Sequence, residues 1–173
     1  MVLGLPMAML LLAPSVSAAT PSLEPAADVA EPGLRTWWRP GELVVGVPGR
    51  SDRSALRPLV DPTPTALPSD LSSWTELGTS CTEAPEARLT SGSHTLTAVV
   101  HAPGAQRIVQ LKVGDKVIAQ QTLGRPVTPC ALLLGQADAL PGLELMVAWV
   151  TADESVRGLT VFRVPEAAVA PAE

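Results

Sequence analysis

Six side chains have types and spacings that could support chemistry: Cys81, Cys130, His94, His101, Asp138 and Glu144. In an oxidising compartment the simplest interpretation of two isolated cysteines is one disulfide. It would close a loop of about 50 residues and contribute about 4 kcal/mol. Two alternatives stay open: two free buried thiols, or a metal site that also uses the histidines. A metal site is disfavoured because the sequence has no closely spaced ligand pair of the kind found in structural zinc sites.

The histidines do not form recognisable catalytic machinery. Ser93 and His94 are neighbours on a predicted strand, so their side chains point to opposite faces. His94 and His101 are separated by an odd number of residues and also face opposite ways, which makes His94 more typical of a strand edge than of a general base. The sequence contains no G-x-S-x-G elbow and no glycine-rich phosphate loop. We therefore assign no catalytic residue, expect no cofactor, and predict that the chain is not an enzyme.

The acidic residues lie in a segment that resembles a known repeat. Residues 130–150 read CALLLGQADALPGLELMVAWV and resemble a degenerate FG-GAP-type repeat, in which a strand, an acidic loop and an apolar strand follow one another. In that family the repeats are blades of a β-propeller and the loop acids bind calcium. The resemblance implies Asp138 and Glu144 as metal candidates, with Gln136 and Leu140 at the other two ligand positions. Because calcium takes six to eight oxygen ligands, this loop is predicted to be a poor calcium site.

The composition excludes other classes of protein. The chain has 173 residues, of which 46% are hydrophobic and 17% charged, and its net charge is −5. A mildly acidic chain without a dense run of Lys or Arg lacks the electrostatic footprint of a nucleic-acid-binding protein. The hydrophobic content is too high for a wholly disordered chain. One domain is the natural expectation for this length.

The first 19 residues predict an export signal. Residues 1–19 carry no charged side chain, contain the apolar core MAMLLLA, and end in small residues. The apolar core and the small residues after it are typical of a signal peptide, cleaved here after Ala18 or Ala19, and the missing Lys or Arg near Met1 is a departure from that pattern. A buried N-terminal helix or strand is the alternative. The apolar run is too short to cross a bilayer, and no later run is longer, so we expect no stable membrane span after cleavage.

Residues 20–71 are predicted to be a proline-rich arm of low order. Nine of the 18 prolines lie in this segment, and proline disfavours both helix interiors and central strands. A short strand is predicted near residues 42–47. The adjacent Trp37 and Trp38 are interpreted as packing anchors or as candidate partner contacts, because indoles bring much contact area at low entropic cost. The PGELVV sequence in this strand repeats the Pro-Gly and Glu-Leu pattern of the repeat-like segment.

Residues 72–165 predict an all-β, antiparallel, sandwich-like or meander domain of about six to eight short strands. Period-two alternation and turn residues predict a three-stranded meander over residues 94–123, with a hairpin turn at Gly114-Asp115. The almost continuously apolar runs 130–135 and 143–151 predict strands that are covered on both faces. Residues 166–173 are predicted to be a disordered tail.

Together these features predict an exported, non-catalytic β domain with a binding or structural role at the cell envelope or outside the cell. Its partner would be another envelope or extracellular protein or a glycan. The alternatives are a small secreted hydrolase or cation-dependent module that uses Asp138 and Glu144, or a partial propeller-like fragment.

Overall fold

The computed structural model describes residues 19–47, 70–81 and 84–169, and this part of the chain is almost entirely β. Its elements are β1 (Glu24–Glu31), β2 (Arg35–Arg39), β3 (Glu42–Gly46), β4 (Thr75–Leu77), β5 (Glu86–Ser91), β6 (His94–His101), β7 (Ile108–Val113), β8 (Lys116–Thr122), β9 (Val127–Gly135), β10 (Glu144–Thr151), β11 (Arg157–Arg163) and the single helical turn α1 (Glu166–Val169). The prediction of an all-β, antiparallel, sandwich-like fold is confirmed. The predicted leader lies outside the described residues except for Ala19.

The strands form three antiparallel sheets. The meander sheet has the order β5-β6-β7-β8, the central sheet β1-β11-β10-β9, and the outer sheet β3-β2-β4. The predicted meander is confirmed, since β6, β7 and β8 pair consecutively. Its predicted turn also occurs: Val113 pairs with Lys116, and the Gly114 between them has a positive φ of 57°, which suits a primed hairpin turn.

The central sheet is covered on both faces. One face packs against the meander sheet, with Leu145 and Val147 of β10 meeting Leu111 of β7 in one apolar cluster. The other face packs against the outer sheet, with Met146 of β10 meeting Val45 of β3. Every residue of β10 except the last is therefore buried. This is the physical reason for its continuously apolar sequence, as predicted for a doubly covered strand.

The prediction of a low-order arm over residues 20–71 is wrong for its first half. The predicted strand near 42–47 is present as β3, but β1 and β2 are present as well, and β1 is an edge strand of the central sheet. The prolines are compatible with these strands because of where they lie. Pro25 borders a register shift of the edge strand, and Pro32 and Pro40 occupy turns, which are the positions that tolerate a missing backbone donor. Residues 48–69 lie outside the described part of the chain.

The predicted disordered tail begins with an ordered segment. Residues Glu166–Val169 form one helical turn, and the amide of Ala168 donates to the carbonyl of Pro165 over 2.9 Å. Proline suits the start of such a turn because its missing N–H would be unsatisfied there in any case. Residues 170–173 lie outside the described part of the chain. No helix among the described residues is long and apolar enough to span a membrane.

Candidate functional site

Cys81 and Cys130 are joined by a disulfide, as predicted, with their Cα atoms 3.9 Å apart. The bond ties the connection between β4 and β5 to the edge strand β9 of the central sheet. The alternatives of free thiols and of a metal site on these cysteines are thereby excluded. His94 and His101 lie at the two ends of β6 and are exposed. Among the described residues no three His, Cys, Asp or Glu side chains come together as a metal-binding group.

Asp138 and Glu144 are brought together at one end of the central sheet, and Arg163 joins them. Asp138 lies in the loop between β9 and β10, and Glu144 is the first residue of β10. Arg163 is the last residue of β11 and stands directly opposite Glu144 in the β10–β11 register. We call these three residues the charge cluster. Asp138 is 5% exposed and Glu144 is 0% exposed, so both carboxyl groups are buried.

One oxygen of each carboxyl group organises the β9–β10 loop. Glu144 Oε2 accepts a hydrogen bond of 2.9 Å from the amide of Ala137. Asp138 Oδ1 accepts one of 2.7 Å from the amide of Leu140. The Gln136 side chain donates to the Leu140 carbonyl over 2.8 Å. The loop is therefore held by side chains at three of the four positions that the repeat resemblance marks for calcium ligands, and the backbone of the fourth, Leu140, is a partner of two of them.

The second oxygen of each carboxyl group faces the guanidinium of Arg163. Asp138 Oδ2 lies 3.9 Å from Nη2 and Glu144 Oε1 lies 3.9 Å from Nε. These distances permit electrostatic attraction but exceed hydrogen-bonding range. The guanidinium thus places a positive charge beside both carboxyl groups, where a bound cation would otherwise neutralise them. Arg163 escaped the sequence analysis because an arginine at a strand end is ordinary, and only the β10–β11 register places it opposite Glu144.

The surroundings of Glu144 shift the pKa of its carboxyl group. Burial is the main cause that raises the pKa of Glu144 above its ordinary value, because desolvation penalises the charged form. The hydrogen bond from Ala137 opposes the increase, the Asp138 carboxylate adds to it, and the Arg163 guanidinium opposes it. The arrangement can hold a proton. It offers no carboxylate to a substrate, because both acids are covered.

The two predicted tryptophan contacts are built into the packing of the outer sheet. Trp38 donates from Nε1 to the Gln136 carbonyl over 3.0 Å, and its ring lies so close to Gly135 that a Cβ there would stand 2.7 Å from Cζ2. Trp37 is 5% exposed, and the Arg35 guanidinium lies 5.1 Å from its ring centroid. These contacts favour the packing-anchor interpretation of both residues.

The described residues also enclose a cavity of about 20 Å³ between the outer and central sheets, lined in part by Cys130, Trp149 and Gly158. A space of this size holds one water molecule and little else. It is therefore not a substrate pocket. A scan of family models, a search of curated proteins and a search of solved structures each returned no match to this chain.

Proposed function

We propose that this chain is an exported, disulfide-stapled β domain that acts by binding or as a structural element, at the cell envelope or outside the cell. The observation that carries the proposal is the bond between Cys81 and Cys130. Disulfides persist in oxidising compartments and are rare in the cytosol. The uncharged, apolar leader of residues 1–19 supports the same destination, because a short apolar run followed by small residues directs export.

The burial of Asp138 and Glu144, the two acids that the structure brings together in the charge cluster, supports a non-catalytic role. A hydrolase based on Asp138 and Glu144 would need at least one carboxyl group in contact with substrate, and these two are 5% and 0% exposed. The cavity of about 20 Å³ is also far below the roughly 300–1,000 Å³ of typical ligand pockets. These dimensions support contact through the surface rather than through this cavity.

The surface that we propose for partner contact is the face of the outer sheet that carries Trp37, Trp74 and Arg39. There Trp74 packs beside the buried Trp37, and the Arg39 guanidinium lies 4.4 Å from the Trp74 ring centroid. Aromatic and arginine side chains are enriched where proteins meet partners. Trp37 is buried beneath Trp74 in this face. Trp74 and Arg39 are the side chains that an extracellular protein or a glycan would touch.

Export is tested by following the full chain in fractionated cells. Leu11→Arg places a charge in the apolar core of the leader and should retain the protein inside the cell, whereas Ser15→Ala keeps the pattern of the leader and should leave export unchanged. The unaltered protein should appear in the envelope or external fraction. Equal distribution of all three proteins in the interior would refute the proposal.

A further inference from the structure

The charge cluster contains every buried side-chain nitrogen or oxygen atom that lacks a hydrogen-bond partner in the described part of the chain. These atoms are Asp138 Oδ2, Glu144 Oε1 and Arg163 Nε. Buried polar groups are nearly always paired, so a concentration of unpaired atoms at one place calls for an explanation. Glu144 Oε1 lies 3.9 Å from Arg163 Nε, and Asp138 Oδ2 lies 3.9 Å from Nη2 of the same guanidinium.

The cluster also has an unbalanced charge. Two ionised carboxylates beside one guanidinium leave one surplus negative charge in a buried place, which is costly. The neighbouring elements do not cancel it. Glu24 of β1 stands opposite Arg163 in the register and adds a further acid at the exposed side of the arginine. The Arg39 and Glu42 side chains of the β2–β3 hairpin are paired with each other. One proton on a carboxyl group would balance the cluster.

A single peptide group connects this cluster to the outer sheet. The N–H of the Gln136–Ala137 peptide donates to Glu144 Oε2 over 2.9 Å. The C=O of the same peptide accepts from the amide of Gly41 over 2.9 Å and from the Trp38 indole over 3.0 Å. Hydrogen bonds on the two ends of one peptide polarise each other. An ionised Glu144 is the stronger acceptor, and it therefore strengthens both bonds to the β2–β3 hairpin.

We propose that Asp138, Glu144 and Arg163 form a proton-binding site that couples the acidity of the surroundings to the packing of the β9–β10 loop against the β2–β3 hairpin. Ionisation of Glu144 tightens the bonds to Gly41 and Trp38, and proton uptake loosens them. Solvent reaches the edge of the cluster at Arg163, whose side chain is 38% exposed. The proposal does not depend on export, although an exported domain would experience changes of external pH directly.

The first test is an NMR titration of the unaltered protein. The carboxyl carbon of Glu144 should titrate at higher pH than those of exposed glutamates. The Trp38 indole proton should move to lower field with the same midpoint as the pH is raised. The Trp149 indole is the internal control, because it donates to Thr160 Oγ1 over 2.9 Å and should not follow this transition. A Glu144 carboxyl that titrates together with the exposed glutamates overturns the proposal, and so does a Trp38 signal that does not move with it.

The second test removes the titrating group. Glu144→Gln retains an acceptor for the Ala137 amide and should abolish the Trp38 transition. Glu86→Gln, at an exposed residue of the meander sheet that is paired with Arg88, should leave the transition intact. Persistence of the same transition in Glu144→Gln would contradict the proposal. If Glu144→Gln does not fold, the titration of the unaltered protein decides alone.

The direction in which the folding stability changes with pH also follows from the cluster. Because the pKa of Glu144 is raised in the folded state, the folded protein keeps a proton that the unfolded chain has already released. The stability contributed by this proton is fully present below the ordinary glutamate pKa and is lost as the pH rises through the folded pKa. As the pH rises from the ordinary glutamate pKa through the folded pKa of Glu144, the urea midpoint of Glu144→Gln should therefore rise relative to that of the unaltered protein. A constant difference between the two midpoints would contradict the proposal.

Discussion

Gly158 is the position where one added methyl group should cost most. It lies on β11 directly opposite Trp149 of β10, and the indole occupies the space where a side chain would begin. A Cβ at residue 158 would stand 2.0 Å from Trp149 Cζ2 and 2.4 Å from both Cε2 and Cη2. Non-bonded carbon atoms do not approach one another this closely, so Gly158→Ala must displace the ring.

The ring has little freedom to move. Trp149 is 2% exposed, donates from Nε1 to Thr160 Oγ1 over 2.9 Å, and carries the Arg125 guanidinium 4.8 Å from its ring centroid. Overpacking of a core costs about 1–3 kcal/mol, and the loss of the indole hydrogen bond about 1 kcal/mol more. The lower entropy of the unfolded alanine chain offsets up to about 1 kcal/mol. Together these terms give an expected net loss of about 1–4 kcal/mol.

The matched control is Gly124→Ala, because a Cβ at residue 124 meets nothing within 4 Å. Its stability should stay within about 0.5 kcal/mol of the original. In urea denaturation followed by circular dichroism, Gly158→Ala should lower the midpoint by about 1 M, and the control should not. Trp149→Phe should reduce the cost of Gly158→Ala, since the two residues are in contact. Equal midpoints for Gly158→Ala and Gly124→Ala would refute the account of this contact.

Four further outcomes are expected. Replacing Cys81 and Cys130 by serine should destabilise the protein by about 4 kcal/mol for the 49-residue separation, and an unchanged urea midpoint would contradict this. Glu154 has a positive φ of 58°, so Glu154→Gly should stabilise the protein by about 0.5–1 kcal/mol in the same assay, whereas a loss would show that its side chain contributes. Hydrogen bonds from the Thr151 and Ser155 side chains and the Ser155 amide lower the pKa of Asp153 to about 2. The stability that they contribute should therefore be lost as the pH falls from about 4 to 2, and Asp153→Asn should lack this part of the acid transition. Thermal unfolding should not move with millimolar calcium or with a chelator, because a ligand of the folded state raises its stability by mass action; a calcium-dependent rise would favour the cation-dependent alternative.

The parts of the fold that local pattern determines could be predicted from the sequence. Alternation and the Gly114-Asp115 turn located the meander sheet, and the continuous apolar run of β10 indicated that both of its faces are covered. The number of prolines in residues 20–71 does not predict the strand β1, because the positions of the prolines decide whether a strand tolerates them. A proline at the edge of a sheet removes no necessary hydrogen bond, and only long-range pairing with β11 identifies β1 as an edge strand.

The candidate site was predictable only in part. Asp138 and Glu144 were singled out from the loop sequence, but their burial and their partner depend on the register between β10 and β11. The hydrogen bonds from Gly41 and Trp38 to the Gln136 carbonyl join segments about 100 residues apart. No local pattern encodes such contacts, because they arise only when the outer sheet packs against the central sheet.

The central claim, that this β domain is exported and held by a disulfide, is tested most directly by the intact mass of the protein recovered from fractionated cells. We predict a chain from the envelope or external fraction that begins at Ala19 or Thr20 and gains the mass of two hydrogens when it is reduced. A chain from the soluble interior that retains residues 1–18, with both cysteines already reduced, would contradict the account.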